Sequence, residues 1–176
     1  SHPDSRILCY TNSKVIRFNN YLRDQRQLPE RFTAQEWVIS NSMCKSLRSP
    51  LNNQQSMLRV EEELEILESS EEYDYTFYLN GAEYGFSVYN VETVKGSFRV
   101  PVNGSQFRDI MKDIANRAKK TTGLWQTYYD LKENIADLRP RDACTVYKAQ
   151  GSTYHTVFVD LTDIGECRNP SQAARM

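Results

Sequence analysis

The sequence predicts an α/β fold: a discontinuous parallel-sheet unit, residues 4–35 plus 105–176, with an all-β module at 36–104 inserted between its halves. Three observations predict it. The run "RILCYTN" passes through a polar corner directly into the helix-periodic stretch "SKVIRFNNYLRDQRQ". A block of short alternating segments comes next, punctuated by Asn80-Gly81, Lys95-Gly96 and Asn103-Gly104. The chain then returns to helical spacing and reaches "CTVYKAQGSTYHTVFVDL", two β-branched runs broken by a polar loop.

Taken in order, Arg6–Asn12 reads as a buried strand ending in Thr-Asn. The next stretch puts Val15, Phe18, Asn19 and Leu22 at helical spacing, and Ser13 is placed to cap that helix by accepting from an orphan backbone N–H. Glu36–Ser40 reads as a strand and 45–57 as a polar loop. Tyr73, Tyr75, Phe77 and Leu79 then alternate with polar or smaller residues, the period of a half-buried strand. Four or five such strands predict a small antiparallel barrel or sheet. Trp37 and the tyrosines and phenylalanines of this block suit core and cross-strand positions better than base-stacking platforms. Phe107, Ile110, Met111, Ile114, Ala115 and Ala118 form one apolar helical stripe. Leu124, Trp125, Tyr128, Leu131, Ile135 and Leu138 form a second, closed by Pro140. Lys119-Lys120 reads as a solvated helix end favoured by the dipole. After the final strand, "TDIGECRNPSQAARM" reads as a loop containing Asp163, Gly165, Asn169 and Pro170, leading into a helix capped by Asn169 or Ser171. The chain stops where that helix starts, so it reads as a piece of something longer. Ser1–Pro3 are set aside as loop.

The 176 residues carry a net charge of −1 with acids and bases interspersed, which argues against a general polyanion binder but leaves room for a few well-placed phosphate contacts. No apolar run approaches the roughly 20 residues that span a bilayer, and no secretory signal is visible, so a cytoplasmic protein without a membrane partner is expected. Cys9, Cys44, Cys144 and Cys167 form no pair with metal-ligand spacing, which predicts reduced, partly buried thiols and no metal site.

In an open α/β sheet, ligands gather at loops leaving the carboxyl ends of strands. Two corners qualify, residues 10–13 and 147–153. The second is rich in groups that suit phosphate: Lys148 as a point charge, hydroxyls on Thr145, Tyr147, Ser152 and Thr153, Gly151 for close backbone approach, and Gln150 as donor and acceptor. The plain alternative is a tight turn whose glycine serves conformation and whose lysine is solvated.

The wording of these corners is more specific than their chemistry. "TVYKAQGSTYHTVFVD" closely resembles motif V of superfamily 1 helicases, in the T-x-H-K-[AS]-Q-G form of the RecD-like and Dda-like branch. "ILCYTNSKVIRFNNYLR" resembles the motif that opens the second RecA-like domain of that branch, and the β block is similar in position to its inserted SH3-like barrel. The resemblance implies an incomplete RecA-like domain from the C-terminal half of an ATP-dependent DNA helicase, working against a first RecA-like domain of the same chain on single-stranded DNA. It implies phosphate contacts by Thr11, Asn12, Thr145, Tyr147, Lys148 and Ser152, and coupling to the nucleotide by Gln150, Gly151 and Thr153. Asn19 is the weaker candidate, a residue that caps or bridges within the helix. ATP and Mg²⁺ would belong to the whole protein, with Mg²⁺ held mainly by the first domain. The branch implies 5′→3′ movement and roles in DNA replication or repair.

Two departures stand out. Tyr147 occupies a slot where the family usually has His, and a phenol donates to phosphate without carrying positive charge. The Walker A loop, the acidic Mg²⁺ motif and the arginine finger are absent, so no catalytic residue is assigned and the chain alone is expected to be inactive. His155 reads as a strand-edge surface residue. The competing reading is a nonenzymatic module that binds single strands or protein and keeps a helicase-like loop. A 3′→5′ UvrD-like motor is disfavoured by the Gln-Gly wording and the small insert.

Overall fold

The first strand passes into the first helix through a two-residue corner, Tyr10-Thr11, on which the parallel sheet is organised. The structure, a computed structural model, describes residues 4–49, 54–79, 81–121 and 123–167. In chain order, β1 (Ser5–Cys9) and α1 (Asn12–Gln25) come first. They are followed by β2 (Trp37–Ser40), β3 (Cys44–Lys45), β4 (Met57–Leu58), β5 (Glu63–Glu65), β6 (Glu68–Ser69), β7 (Tyr73–Leu79), β8 (Ala82–Thr93) and β9 (Gly96–Pro101). Two helices, α2 (Gly104–Ala118) and α3 (Leu124–Asn134), precede β10 (Leu138–Pro140). The chain then runs through β11 (Ala143–Thr145), α4 (Val146–Ala149), β12 (Thr156–Val159) and α5 (Leu161–Gly165).

The fold is mixed α/β, and it divides into a discontinuous unit, Ser1–Glu30 with Pro140–Met176, and an inserted one, Arg31–Arg139. By sequence, residues 105–139 belong to the discontinuous unit; the structure places α2 and α3 in the insert. The reason lies in their stripes. Phe107, Ile114, Ala118, Leu124 and Leu131 are buried against residues of β7 and β8, including Leu79, Phe86 and Val88. These helices are the cover of an antiparallel ribbon, not an outer layer of the parallel sheet.

In the discontinuous unit the strand order is β11-β1-β12, with both pairings parallel. Cys9, Val15 and Ala143 make its small buried cluster. Helix α1 is capped by Thr11, whose side chain accepts from Lys14 N; the cap falls there rather than on Ser13 because Thr11 holds extended dihedrals (φ −100°, ψ 146°). Asn19, 3% exposed, bridges not within its helix, as the sequence suggests, but out of it to β11: its Nδ2 donates to the Ala143 carbonyl at 3.2 Å and its Oδ1 accepts from the Ala143 N–H at 2.8 Å. The amide imitates a neighbouring strand for a buried peptide unit. Removing it strands one donor and one acceptor away from water, so Asn19→Ala should cost about 2–4 kcal/mol in a denaturant titration. A change under about 0.5 kcal/mol would show that water replaces the amide.

In the insert, the described strands form small sheets, β10-β2-β5, β3-β4, and β6-β8-β7 with β9 also on β8; the β2–β5 and β3–β4 pairs and all the pairings of β8 are antiparallel. Among the described residues these sheets do not close into a barrel. Strand β8 explains the outcome. Its buried residues change phase at Val88-Tyr89: Phe86 and Val88 face one way, and Tyr89, Val91 and Thr93 the other. The first set packs with Phe107 and Ile135, while Tyr89 and Val91 pack with Val38, Leu58, Leu64, Ile66 and Phe98. One long strand therefore serves two cores; its second half pairs with β6 and β9, and backbone bonds from Leu67 N to the Glu92 carbonyl, Leu47 N to the Ser97 carbonyl and Ala136 N to the Arg99 carbonyl tie further segments to β8 and β9.

The aromatics of the block sit mainly in those cores or opposite one another. Tyr75 is registered with Phe86 and Phe77 with Tyr84, with ring centroids 5.6 Å apart in each pair. Leu79 pairs with Ala82 across the β7–β8 hairpin, and Gly81 takes the positive φ (+80°) that the Asn-Gly signal calls for; Asn80 itself lies outside the described residues. Asn103 is the N-cap of α2, accepting from Ser105 N and Gln106 N. The second apolar stripe does not run on to Leu138, because the helix ends at Asn134 and Leu138–Pro140 joins β2 as a strand. The expected caps Asn169 and Ser171 lie outside the described residues.

Candidate nucleic-acid interface

Parallel pairing puts the carboxyl ends of β1, β11 and β12 on one edge of the sheet. The registers Cys9↔Thr145 and Leu8↔Val159 bring three corners together: Tyr10-Thr11 after β1, Thr145–Lys148 after β11, and Asp160–Asp163 after β12. The Tyr10 and Tyr147 rings lie 6.4 Å apart at 50°.

The polar segment after β11 is more regular than a loop. Thr145, buried, is the N-cap of the single turn α4, its hydroxyl accepting from Lys148 N at 3.4 Å. The turn is followed by a second one. Gln150 has φ −61° and ψ 127°, Gly151 has φ +86°, and Ser152 N donates to the Ala149 carbonyl at 3.0 Å. These are the dihedrals and the bond of a type II turn, whose third position demands positive φ and hence glycine. A Cβ on Gly151 would meet nothing within 4 Å, so the glycine is there for backbone conformation rather than for lack of space. Gln150, Gly151, Ser152 and Thr153 are all exposed on this turn, as is Tyr147; Lys148 is half-buried.

The first corner is held from beneath by a residue that, by sequence, belongs to a loop. Asp163, fully buried, accepts from Tyr10 N at 2.6 Å, Thr11 N at 2.8 Å and the Thr11 hydroxyl at 2.9 Å. The Thr11 hydroxyl in turn accepts from Ser13 Oγ at 3.1 Å and Lys14 N at 3.4 Å. Both of Thr11's protons are thus donated inward. Thr11 braces the corner, and direct donation to a phosphate would require it to exchange one of these bonds. Asn12, in the first turn of α1, is exposed.

Asp163 arrives there because Asp160 caps α5, accepting from Thr162 N at 3.1 Å and Asp163 N at 3.2 Å, and because Asp160 N donates to the Leu8 carbonyl at 3.0 Å. The signal in the sequence is an Asp directly after an apolar run, which marks the N-cap of α5 but does not reveal what Asp163 accepts from. Lys14 Nζ stands 3.9 Å from Asp160 Oδ2, adding a cation at the same edge. Burial, followed by the Asp163 and Asp160 carboxylates, pushes the Cys9 thiol up to about 11, so it stays protonated beneath the corner. The Tyr10 phenol is also raised, chiefly by its hydrogen bond with Cys167. Burial pushes Cys44, in the insert, to about 12.

The predicted residues therefore divide. Thr11, Asn12, Thr145, Tyr147 and Lys148 are brought to one edge, with Gln150–Thr153 projecting from it on the exposed turn. Asn19 belongs to the scaffold. His155 is exposed at the start of β12, its N–H donating to the Asp4 carbonyl and its Nδ1 lying 3.0 Å from Thr156 Oγ1. Among the described residues no group of three or more His, Cys, Asp or Glu gathers in a way that would hold a metal ion, and no helix is long and apolar enough to cross a membrane. No protein-family model matches the chain, and no curated protein matches it.

Proposed function

We propose that the chain is the second motor domain of an ATP-driven DNA helicase: a RecA-like unit that grips the phosphates of single-stranded DNA, with an inserted β subdomain. One observation carries the reading: the Cys9↔Thr145 register, which sets the two corners with helicase-like wording side by side at the carboxyl edge of a parallel sheet. That edge is where open α/β sheets bind ligands. The wording of 145–160 supports the reading independently of the geometry.

In this proposal Tyr147, Lys148, Ser152 and Asn12 contact the strand, while Thr11 and Thr145 hold the corners in shape. Gln150, Gly151 and Thr153 lie toward the nucleotide, which a first motor domain would bind together with Mg²⁺. ATP binding would favour closure of the two domains and hydrolysis would release it, so alternating grips move the strand. Phosphate contacts read no sequence, so binding should be nonspecific and salt-sensitive.

The test is a titration of this chain with labelled oligo-dT over a range of salt. We expect weak binding whose log–log salt slope becomes shallower by about 0.7 in Lys148→Ala, the contribution of one phosphate contact on a single strand. An unchanged slope would remove Lys148 from the interface. Tight binding at physiological salt would favour the nonenzymatic single-strand-binding module instead.

A further inference from the structure

The insert contains a half-open groove of about 440 Å³ that the motor reading does not use. Its floor is apolar and adaptable: Met43 from the segment after β2, Phe107 and Met111 from α2, and Ile135 at the end of α3. Methionine fills irregular apolar contacts at low cost and is common where a surface accepts more than one shape. Arg108 and Lys132 line the same groove. Both are exposed, and among the described residues neither has a carboxylate partner. The groove's one carboxylate, Asp137, is already engaged: it accepts from Asn41 Nδ2 at 2.6 Å and lies 3.9 Å from Arg139. Tyr128, half-buried between floor and rim, adds an aromatic face with a polar tip.

We infer that this groove is a docking site for a peptide segment carrying an apolar or aromatic side chain flanked by carboxylates. Charge complementarity selects the occupant. Two uncommitted cations beside an apolar floor reward a ligand that buries hydrocarbon and presents negative charge next to it. A nucleic-acid strand matches the cations but not the aliphatic floor, since bases favour flat aromatic platforms over methionine and isoleucine. A neutral apolar segment matches the floor but leaves the cations unused. The surface has the makeup of an interface centre, with Tyr, Phe, Met and Arg together. This inference stands apart from the proposed DNA contacts, which lie in the other unit of the chain.

The experiment is fluorescence anisotropy of the 176-residue chain with a short fluorescein-labelled peptide that alternates aspartate with leucine and phenylalanine. We expect saturable binding, weakened at least tenfold when glutamine replaces aspartate in the peptide and again when serine replaces its apolar residues. The double variant Arg108→Glu/Lys132→Glu should lose binding at least tenfold while staying folded, with only a small drop in melting temperature because Lys132 sits in the last turn of α3, where the helix dipole favours a cation. A peptide with lysine in place of aspartate should bind that variant better than it binds the native chain. Arg108→Ala/Lys132→Ala provides the milder check, with an intermediate loss. Equal binding of the glutamine peptide, or no charge-swap rescue, overturns the inference. So does oligo-dT if it binds more tightly than the peptide and loses that affinity in the same double variant. Loss of oligo-dT binding through Lys148→Ala alone leaves the groove intact and bears only on the motor edge.

Discussion

Asp163→Ala should unfold the β1 corner and cost the discontinuous unit about 3–5 kcal/mol, the largest stability effect expected in the chain. The carboxylate is fully buried and accepts three hydrogen bonds at 2.6–2.9 Å from Tyr10 and Thr11. Removing it leaves two backbone N–H groups and a hydroxyl without their acceptor, and each stranded donor costs about 1–3 kcal/mol when water cannot reach it. Against a domain stability of about 5–15 kcal/mol, that is a large fraction. Asp163→Asn should be milder, about half as costly. The amide oxygen still accepts the two backbone N–H groups, while the amide nitrogen faces a Thr11 hydroxyl that already accepts from Ser13 and Lys14. Because the chain has two units, a single melting curve mixes them, and hydrogen exchange at the Tyr10 and Thr11 amides gives the cleaner reading. Faster exchange there, with β8 amides unaffected, is the expected pattern. Native protection at both amides in Asp163→Ala would mean that the corner holds itself.

That residue also shows where the sequence was legible and where it was not. Strand β1, helix α1 and the pair of runs around Gln150 could be read because each announces itself within a few neighbours: an apolar run, a periodic stripe, a Gly at a turn. Asp163 could not, because its three donors come from residues more than 150 positions away and no local pattern encodes that meeting. The same limit explains α2 and α3. Their stripes were visible, but a stripe says only that a face is buried, not against what. The partner, the ribbon of β7 and β8, moved them from one unit to the other. Closure of the β block was not legible for a related reason: alternation predicts strands, whereas which edges pair depends on residues far apart in the chain. Leu138 matched a helical period and became a strand because β2 offered it hydrogen bonds. Thr11 was legible as a corner residue, but the direction of its hydroxyl was not.

Gln150→Ala is the variant that separates the fold of the loop from its proposed work. Position 150 is the second residue of the type II turn, at φ −61°, a dihedral that alanine adopts without strain, and its side chain is exposed. Stability should therefore change by no more than about 0.5 kcal/mol. The neighbouring Gly151 behaves oppositely: at φ +86° any L side chain is strained by about 1–2 kcal/mol, so loss of function there would report the turn and not a contact. If Gln150 links the nucleotide to the strand, a protein that joins this chain to a first motor domain should keep most of its DNA-stimulated ATP hydrolysis in Gln150→Ala while its unwinding rate falls at least tenfold. A tenfold loss corresponds to about 1.4 kcal/mol, the scale of one good hydrogen bond to a charged group made in only one of two states. The comparison is internal to one variant with a native melting profile, so misfolding cannot imitate it. Unwinding at the native rate would take Gln150 out of the coupling path. Parallel loss of both activities would place the residue in nucleotide binding instead. Only loss of unwinding with hydrolysis retained fits a turn built rigidly at the sheet edge so that one exposed side chain can report on the neighbouring domain.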